Sequence, residues 1–83
     1  MATSTIAERL KKVLMIQFGL EESDVTPTAS FVEDFNADSL DLVELMMEIE
    51  REFDIDIKPE EMEKITTAGE ATDFLKSRLR SMG

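Results

Sequence analysis

A chain of 83 residues makes one domain, close to the size at which a single hydrophobic core just holds a fold together without disulfides or metal. Neither cysteine nor histidine occurs. Their absence excludes a disulfide framework, a thiolate nucleophile, a soft-metal site and the nucleophile–histidine arrangements of a self-contained hydrolase.

The net charge of −10 comes from 9 basic and 19 acidic residues, which argues against phosphate-backbone binding because nucleic-acid affinity rests on basic neutralisation of phosphates. Between Glu21 and Glu63 stand 16 acidic residues and only two basic ones, Arg51 and Lys58. Acid merely spread over a surface keeps a small domain soluble. Its concentration in one stretch fits a partner with a basic surface as well, and composition alone leaves both readings open. No run approaches the roughly 20 apolar residues of a membrane span, and the N-terminus has no basic lead-in to an apolar segment. The expectation is a soluble, cytoplasmic protein with no targeting segment.

The first helix is expected to open near Thr5, with Glu8 three residues on completing a capping box. Ile6, Leu10, Val13, Leu14 and Phe18 then fall on one apolar face, and Gly19 stops the helix. From Leu20 to Ala37 no periodicity is sustained. This reads as a long loop pinned by Leu20, Val25, Phe31 and Phe35, broken at Thr26 and Pro27, and a loop of this length hints that something nearby is being positioned.

The second helix is expected from Asp38, a capping residue, to about Phe53. At 100° per residue Leu42, Leu45, Met46, Ile49 and Phe53 share one arc, the core face. Leu40, Val43 and Met47 form a second apolar stripe on nearly the opposite side, among Asp41, Glu44, Glu48, Glu50 and Arg51. Single exposed hydrophobes are ordinary on a protein surface. Three at helical spacing beside a helix start, ringed by acid, suggest a docking surface.

Asp54 to Lys58 alternate polar and apolar over a stretch too short to build a sheet. Pro59, Glu60 and Glu61 open a short helix expected to end near Ile65. Thr67 and Glu70 repeat the capping-box spacing and start a last helix with Ala71, Phe74, Leu75 and Leu79 as its apolar positions, where Gly69 weakens the first turn. The predicted fold is all-α, a small bundle of three main helices plus one short helix, with a long loop between helices one and two and residues 1–83 forming a single domain.

The run Phe31-Val32-Glu33-Asp34-Phe35-Asn36-Ala37-Asp38-Ser39-Leu40-Asp41 resembles the signature of acyl carrier proteins. In that family an Asp-Ser-Leu triplet at the start of the second helix bears phosphopantetheine on its serine. The similarity covers nearly the whole chain, through Leu42-Val43-Glu44-Leu45, Glu52-Phe53, Pro59-Glu60-Glu61 and Glu63-Lys64-Ile65-Thr66-Thr67. It is closer to the discrete carrier of dissociated, type II fatty acid synthesis than to a module of a larger synthase.

The resemblance implies that Ser39, with Asp38 beside it, takes a covalent phosphopantetheine arm from coenzyme A, whose thiol holds acyl chains as thioesters. A first-turn position suits an attached phosphodiester, because free backbone N–H groups and the positive end of the helix dipole lie there. Without histidine the chain cannot activate Ser39 itself, so a separate phosphopantetheinyl transferase, the holo carrier protein synthase, must do so. The chain is then a carrier and a substrate in fatty acid biosynthesis, not an enzyme, and it needs no metal of its own. The resemblance also implies that Leu40, Asp41, Val43, Glu44, Met47 and Glu50 meet basic patches on successive synthesis enzymes. A monomer making weak, charge-steered contacts suits one carrier serving many partners. Six methionines are consistent with adaptable packing, and Met46 and Met62 are candidates for a core that opens around an acyl chain.

Three departures from the family stand out: Asn36 where glycine is commoner, Arg51 where many relatives carry an acid, and Ala68 and Gly69, which make the start of the last helix lighter than usual. Carriers of polyketide or nonribosomal peptide pathways share the triplet and are the alternative reading. An EF-hand is excluded at Asp54-Ile55-Asp56-Ile57-Lys58, which lacks the required acids and glycine. Nothing gathers the carboxylates into a cleft as an autonomous enzyme would need.

Overall fold

Thr5 Oγ1 accepts the Glu8 N–H at 3.1 Å while Glu8 Oε1 accepts the Thr5 N–H at 2.9 Å, and from this capping box the first helix, α1, runs Ile6–Phe18. The computed structural model describes residues 5–82. Gly19 ends α1 in the left-handed region (φ 65°, ψ 43°), a conformation glycine enters without steric cost.

The long loop that follows is more organised than its sequence suggests. A single 3-10 turn, Glu22–Asp24, interrupts it, with Asp24 Oδ2 accepting the Glu21 N–H. Further on, the Phe31 N–H donates to Thr66 O at 3.0 Å and the Ala68 N–H to Ala29 O at 3.1 Å. These two bonds sew the loop to the start of the last helix. Phe31 is fully buried and stacks at a tilt beside Phe35, which in turn meets Phe18 with ring centroids 5.5 Å apart. Aromatic packing thus anchors the loop where no periodicity marks it.

The second helix, α2, spans Ser39–Phe53 and is capped by Asp38. Leu45, Ile49 and Phe53 are buried, with Leu42 and Met46 packed at the core margin. The predicted core face is therefore the observed one. After α2, Ile55 and Ile57 are buried while Asp54, Asp56 and Lys58 face solvent. The alternation in this segment records burial on one side of an extended chain.

The short helix, α3, spans Pro59–Met62, three residues shorter than expected. The Lys64 N–H donates to Glu61 O and the Ile65 N–H to Met62 O, so the backbone tightens to three-residue spacing and leaves the α-helical path. That turn lets both Met62 and Ile65 reach the core. The last helix, α4, runs Ala68–Met82. The Glu70 N–H donates to Thr67 Oγ1 at 3.2 Å, as the Thr67–Glu70 spacing predicts. Arg78 of α4 then reaches across to pin α3, donating to Asp56 O at 2.6 Å and to Glu61 Oε2 while its guanidinium lies over the Phe74 ring.

The core lies where α1 packs against α2 and α4. Leu10, Leu14, Phe31, Leu45, Ile49 and Leu75 are its deepest side chains, each contributing about 1.5–3 kcal/mol of burial. Among the described residues no helix is long and apolar enough to cross a membrane.

Candidate functional site

Three features of the local sequence place Ser39. Asn36 takes φ 58°, one of the few non-glycine residues suited to the left-handed region. The Ala37 N–H returns to Phe31 O at 2.9 Å and buries Ala37. Asp38 and Asp41 then cap each other, Asp38 Oδ1 accepting the Asp41 N–H at 2.9 Å and Asp41 Oδ2 accepting the Asp38 N–H at 3.1 Å. A turn fixed on both sides therefore delivers Ser39 as the first residue of α2, exposed to solvent.

The N–H groups of Ser39 and Leu40 have no acceptor among the described residues. First-turn amides of this kind are the natural seat of an oxygen-rich anion. An exposed hydroxyl on a capped helix start, with unpaired amides around it, fits the covalent phosphodiester that the sequence resemblance implies. Among the described residues no group of three or more carboxylates is arranged to hold a metal ion.

Leu40, Val43 and Met47 are exposed by 65%, 48% and 50%, an apolar stripe that begins one residue after Ser39. Asp41 and Glu44 lie beside it. Glu44 Oε1 accepts a hydrogen bond from Gln17 Nε2 of α1 at 3.1 Å. Glu50 has a partner elsewhere in the chain, its Oε2 accepting the Ile57 N–H at 2.8 Å. It sits at the edge of the stripe and ties α2 to the segment before α3. Arg51 pairs with Glu48 at 3.3 Å and stays exposed.

Two large exposed side chains lie outside the residues that the sequence reading singles out. Val32 projects from the loop turn ahead of the site, and Ile16 from α1. For Ile16 the signal was present, since it lies about 200° around the helix from Leu14 and off the buried face. A protein-family model described as a phosphopantetheine attachment site matches residues 4–75.

Proposed function

The chain belongs to the phosphopantetheine attachment-site family, whose members carry that group covalently, and from this premise we propose that Ser39 is the residue modified and that the protein carries growing acyl chains in fatty acid synthesis. The observation that carries the reading is the exposed Ser39 hydroxyl at the first residue of α2, one position before an exposed apolar stripe.

The chain's own contribution is positional. Asp38 and Asp41 fix the helix start by capping each other, so that the Ser39 hydroxyl stands clear of the fold. On a separate transferase, Ser39 Oγ forms a bond to phosphorus as the phosphoanhydride of coenzyme A breaks and the nucleotide half departs. The hydroxyl proton goes to a base on the transferase, this chain having no histidine to take it. Once attached, the arm supplies a thiol that holds an acyl group as a thioester. Leu40, Val43 and Met47, with Asp41, Glu44 and Glu50 near them, then meet basic surfaces on the enzymes that act on that group. Burial of a few apolar side chains gives adhesion, and the carboxylates steer the encounter without making it tight.

The test is an intact mass of the protein before and after incubation with coenzyme A, magnesium and a broad-specificity phosphopantetheinyl transferase, with Ser39→Ala in parallel. One added phosphopantetheine mass on the wild type and none on the variant supports the assignment. An adduct on the variant, or none on a folded wild type, refutes it. The pathway is tested by giving the modified protein acetyl- and malonyl-coenzyme A, a reduced nicotinamide cofactor and the enzymes of dissociated fatty acid synthesis. Growth of the adduct in two-carbon steps supports the fatty acid reading, and loading only by polyketide or nonribosomal peptide enzymes replaces it.

A further inference from the structure

Val32 stands 55% exposed on the turn of residues 31–35, where the fold has no use for an apolar, β-branched side chain. Turns favour polar residues and glycine, and the burial here is carried by the neighbouring Phe31, which is fully enclosed. The turn itself is firmly held. Ser30 O accepts the Asp34 N–H at 2.9 Å and the Phe35 N–H at 3.2 Å. The Glu33 N–H donates to Ser30 Oγ at 3.1 Å, and the Ser30 N–H to Asp34 Oδ2 at 2.6 Å. Val32 is therefore presented to solvent on a fixed backbone, and a partner that covers it needs little further ordering of the chain.

The same turn adjoins the site. The Phe31 carbonyl, joined directly to the Val32 nitrogen, accepts the Ala37 N–H at 2.9 Å, and the two residues from Ala37 to Ser39 span no more than about 7 Å. Val32 thus approaches Ser39 from the loop, as Leu40 adjoins it on the helix. A protein interface of ordinary size covers about 800 Å² on each partner, a patch about 30 Å across. An enzyme seated over Ser39 therefore reaches this turn as well as α2.

The charge of the turn continues that of the α2 stripe. No basic residue occurs between Lys12 and Arg51, and Glu33 and Asp34 follow Val32 as Asp41 and Glu44 follow Leu40 and Val43. Glu33 makes no ion pair among the described residues. Lys64, two residues before the Thr66 that bonds Phe31, lines a cleft with Glu61, Glu70 and Asp73 and is outnumbered by them. A basic surface that meets the stripe finds the same sign of charge around Val32.

We infer that Val32, with Glu33 beside it, is a specificity-determining part of the docking surface, contacted by the basic face of the phosphopantetheinyl transferase as it sits over Ser39. The inference rests on the reading of Ser39 as the modified residue. The apolar contact at Val32 adds to that at Leu40, and the Glu33 carboxylate adds to the steering by Asp41 and Glu44. A transferase without an apolar contact for Val32 engages α2 alone and discriminates less well in favour of this chain.

The test compares the kinetics of phosphopantetheine transfer from coenzyme A, by a broad-specificity transferase, to the wild type, Val32→Ser, Val32→Ile and Glu33→Gln. Val32→Ser is expected to raise KM about five- to ten-fold with kcat within about two-fold of the wild type, and Val32→Ile to restore the wild-type KM. Glu33→Gln is expected to raise KM about two- to three-fold and to flatten the salt dependence of kcat/KM. Both positions are exposed, so an amide spectrum of each variant reports an intact fold. In the labelled wild type, titrated with transferase in the absence of coenzyme A, the signals of Val32 and Glu33 are expected to move saturably together with those of Leu40, Val43 and Met47. An unchanged KM for Val32→Ser, or Val32 signals that stay still while those of Leu40 move, overturns the inference and leaves the reading of Ser39 standing. A fall in kcat without a rise in KM assigns Val32 to holding the turn rather than to docking, and overturns it too. Absence of any adduct on the folded wild type overturns both.

Discussion

Gly69 donates its backbone N–H to the Pro27 carbonyl at 2.9 Å, and a Cβ built on Gly69 would stand only 2.8 Å from that same oxygen. The start of α4 and the long loop are thus in contact at a distance that only glycine permits. Helix propensity alone makes Gly69→Ala stabilising by about 0.5–1 kcal/mol. The contact reverses the sign, because the obstructing atom is backbone and cannot rotate away. Gly69→Ala is expected to destabilise the protein by about 1–3 kcal/mol, read as a lower urea midpoint at unchanged slope. A gain in stability instead would mean that the loop yields at Pro27 with little resistance.

Asn36 presents the reverse case, a side chain in a conformation that favours glycine. Its φ of 58° precedes the Ala37-to-Phe31 bond and the Asp38 cap, so backbone strain here is transmitted to the position of Ser39. Asn36→Gly is expected to leave stability within about 1 kcal/mol of the wild type. Asn36→Val is expected to cost about 1–3 kcal/mol, since a β-branched residue resists the left-handed region. The same variant should accept phosphopantetheine from a transferase more slowly, under conditions where it remains folded. Equal transfer rates for the valine and glycine variants would disconnect the turn from Ser39.

What the sequence discloses about this fold is what short-range chemistry determines. The Thr5–Glu8 box, the Gly19 stop, the Asp38 cap and the Thr67–Glu70 box each involve residues three or fewer apart or one backbone conformation. The stripe of Leu40, Val43 and Met47 follows from helical spacing alone. What stays hidden depends on residues far apart in the chain. Gly69 looks like a weakness in α4 until Pro27 is beside it. The loop from Leu20 to Ala37 looks featureless because its bonds run to Thr66 and Ala68. The early end of α3 follows from the need to bury Ile65, and Glu50 looks like one more acid on α2 until the Ile57 N–H meets it.

That Glu50–Ile57 bond separates two roles for acids on the same helix. Its half-buried carboxylate accepts a backbone N–H seven residues away, holding the extended segment whose Ile55 and Ile57 fill the core. Glu50→Ala should lower stability by about 1–2 kcal/mol, the worth of a hydrogen bond to a charged acceptor with partial burial. Glu50→Gln keeps an acceptor and should recover much of that loss. Asp41 offers no such contrast, because its carboxylate caps the helix. Glu44 does, since its only partner among the described residues is the Gln17 side-chain amide on α1, and Glu44→Ala should change stability by no more than about 0.5 kcal/mol. Denaturant melts of the three variants decide the matter, and equal losses for Glu44→Ala and Glu50→Ala would remove the distinction.

The last carboxylate worth isolating is Glu70, whose Oε1 accepts from Thr66 Oγ1 at 2.7 Å, the Thr66 N–H at 2.8 Å and the Thr67 N–H at 3.3 Å. The Thr66 hydroxyl first, and then the Thr66 and Thr67 amides, hold the Glu70 carboxyl below its ordinary 4.5. A depressed carboxyl stabilises the fold wherever the unfolded chain is ionised, above about pH 4.5, and that stabilisation is lost as the pH falls through the lower, folded value. Overall self-repulsion works the other way, since protonating the remaining acids relieves a chain of net charge −10. A pH profile of the wild type alone therefore mixes the two effects. Glu70→Gln retains an acceptor at the same place and removes the charge, so the gap between wild type and variant isolates the carboxylate. That gap in urea midpoint should be widest near pH 7 and close on approach to about pH 3. A gap that stays constant across this range would mean that the charged form of Glu70 is not what the Thr66 and Thr67 donors select.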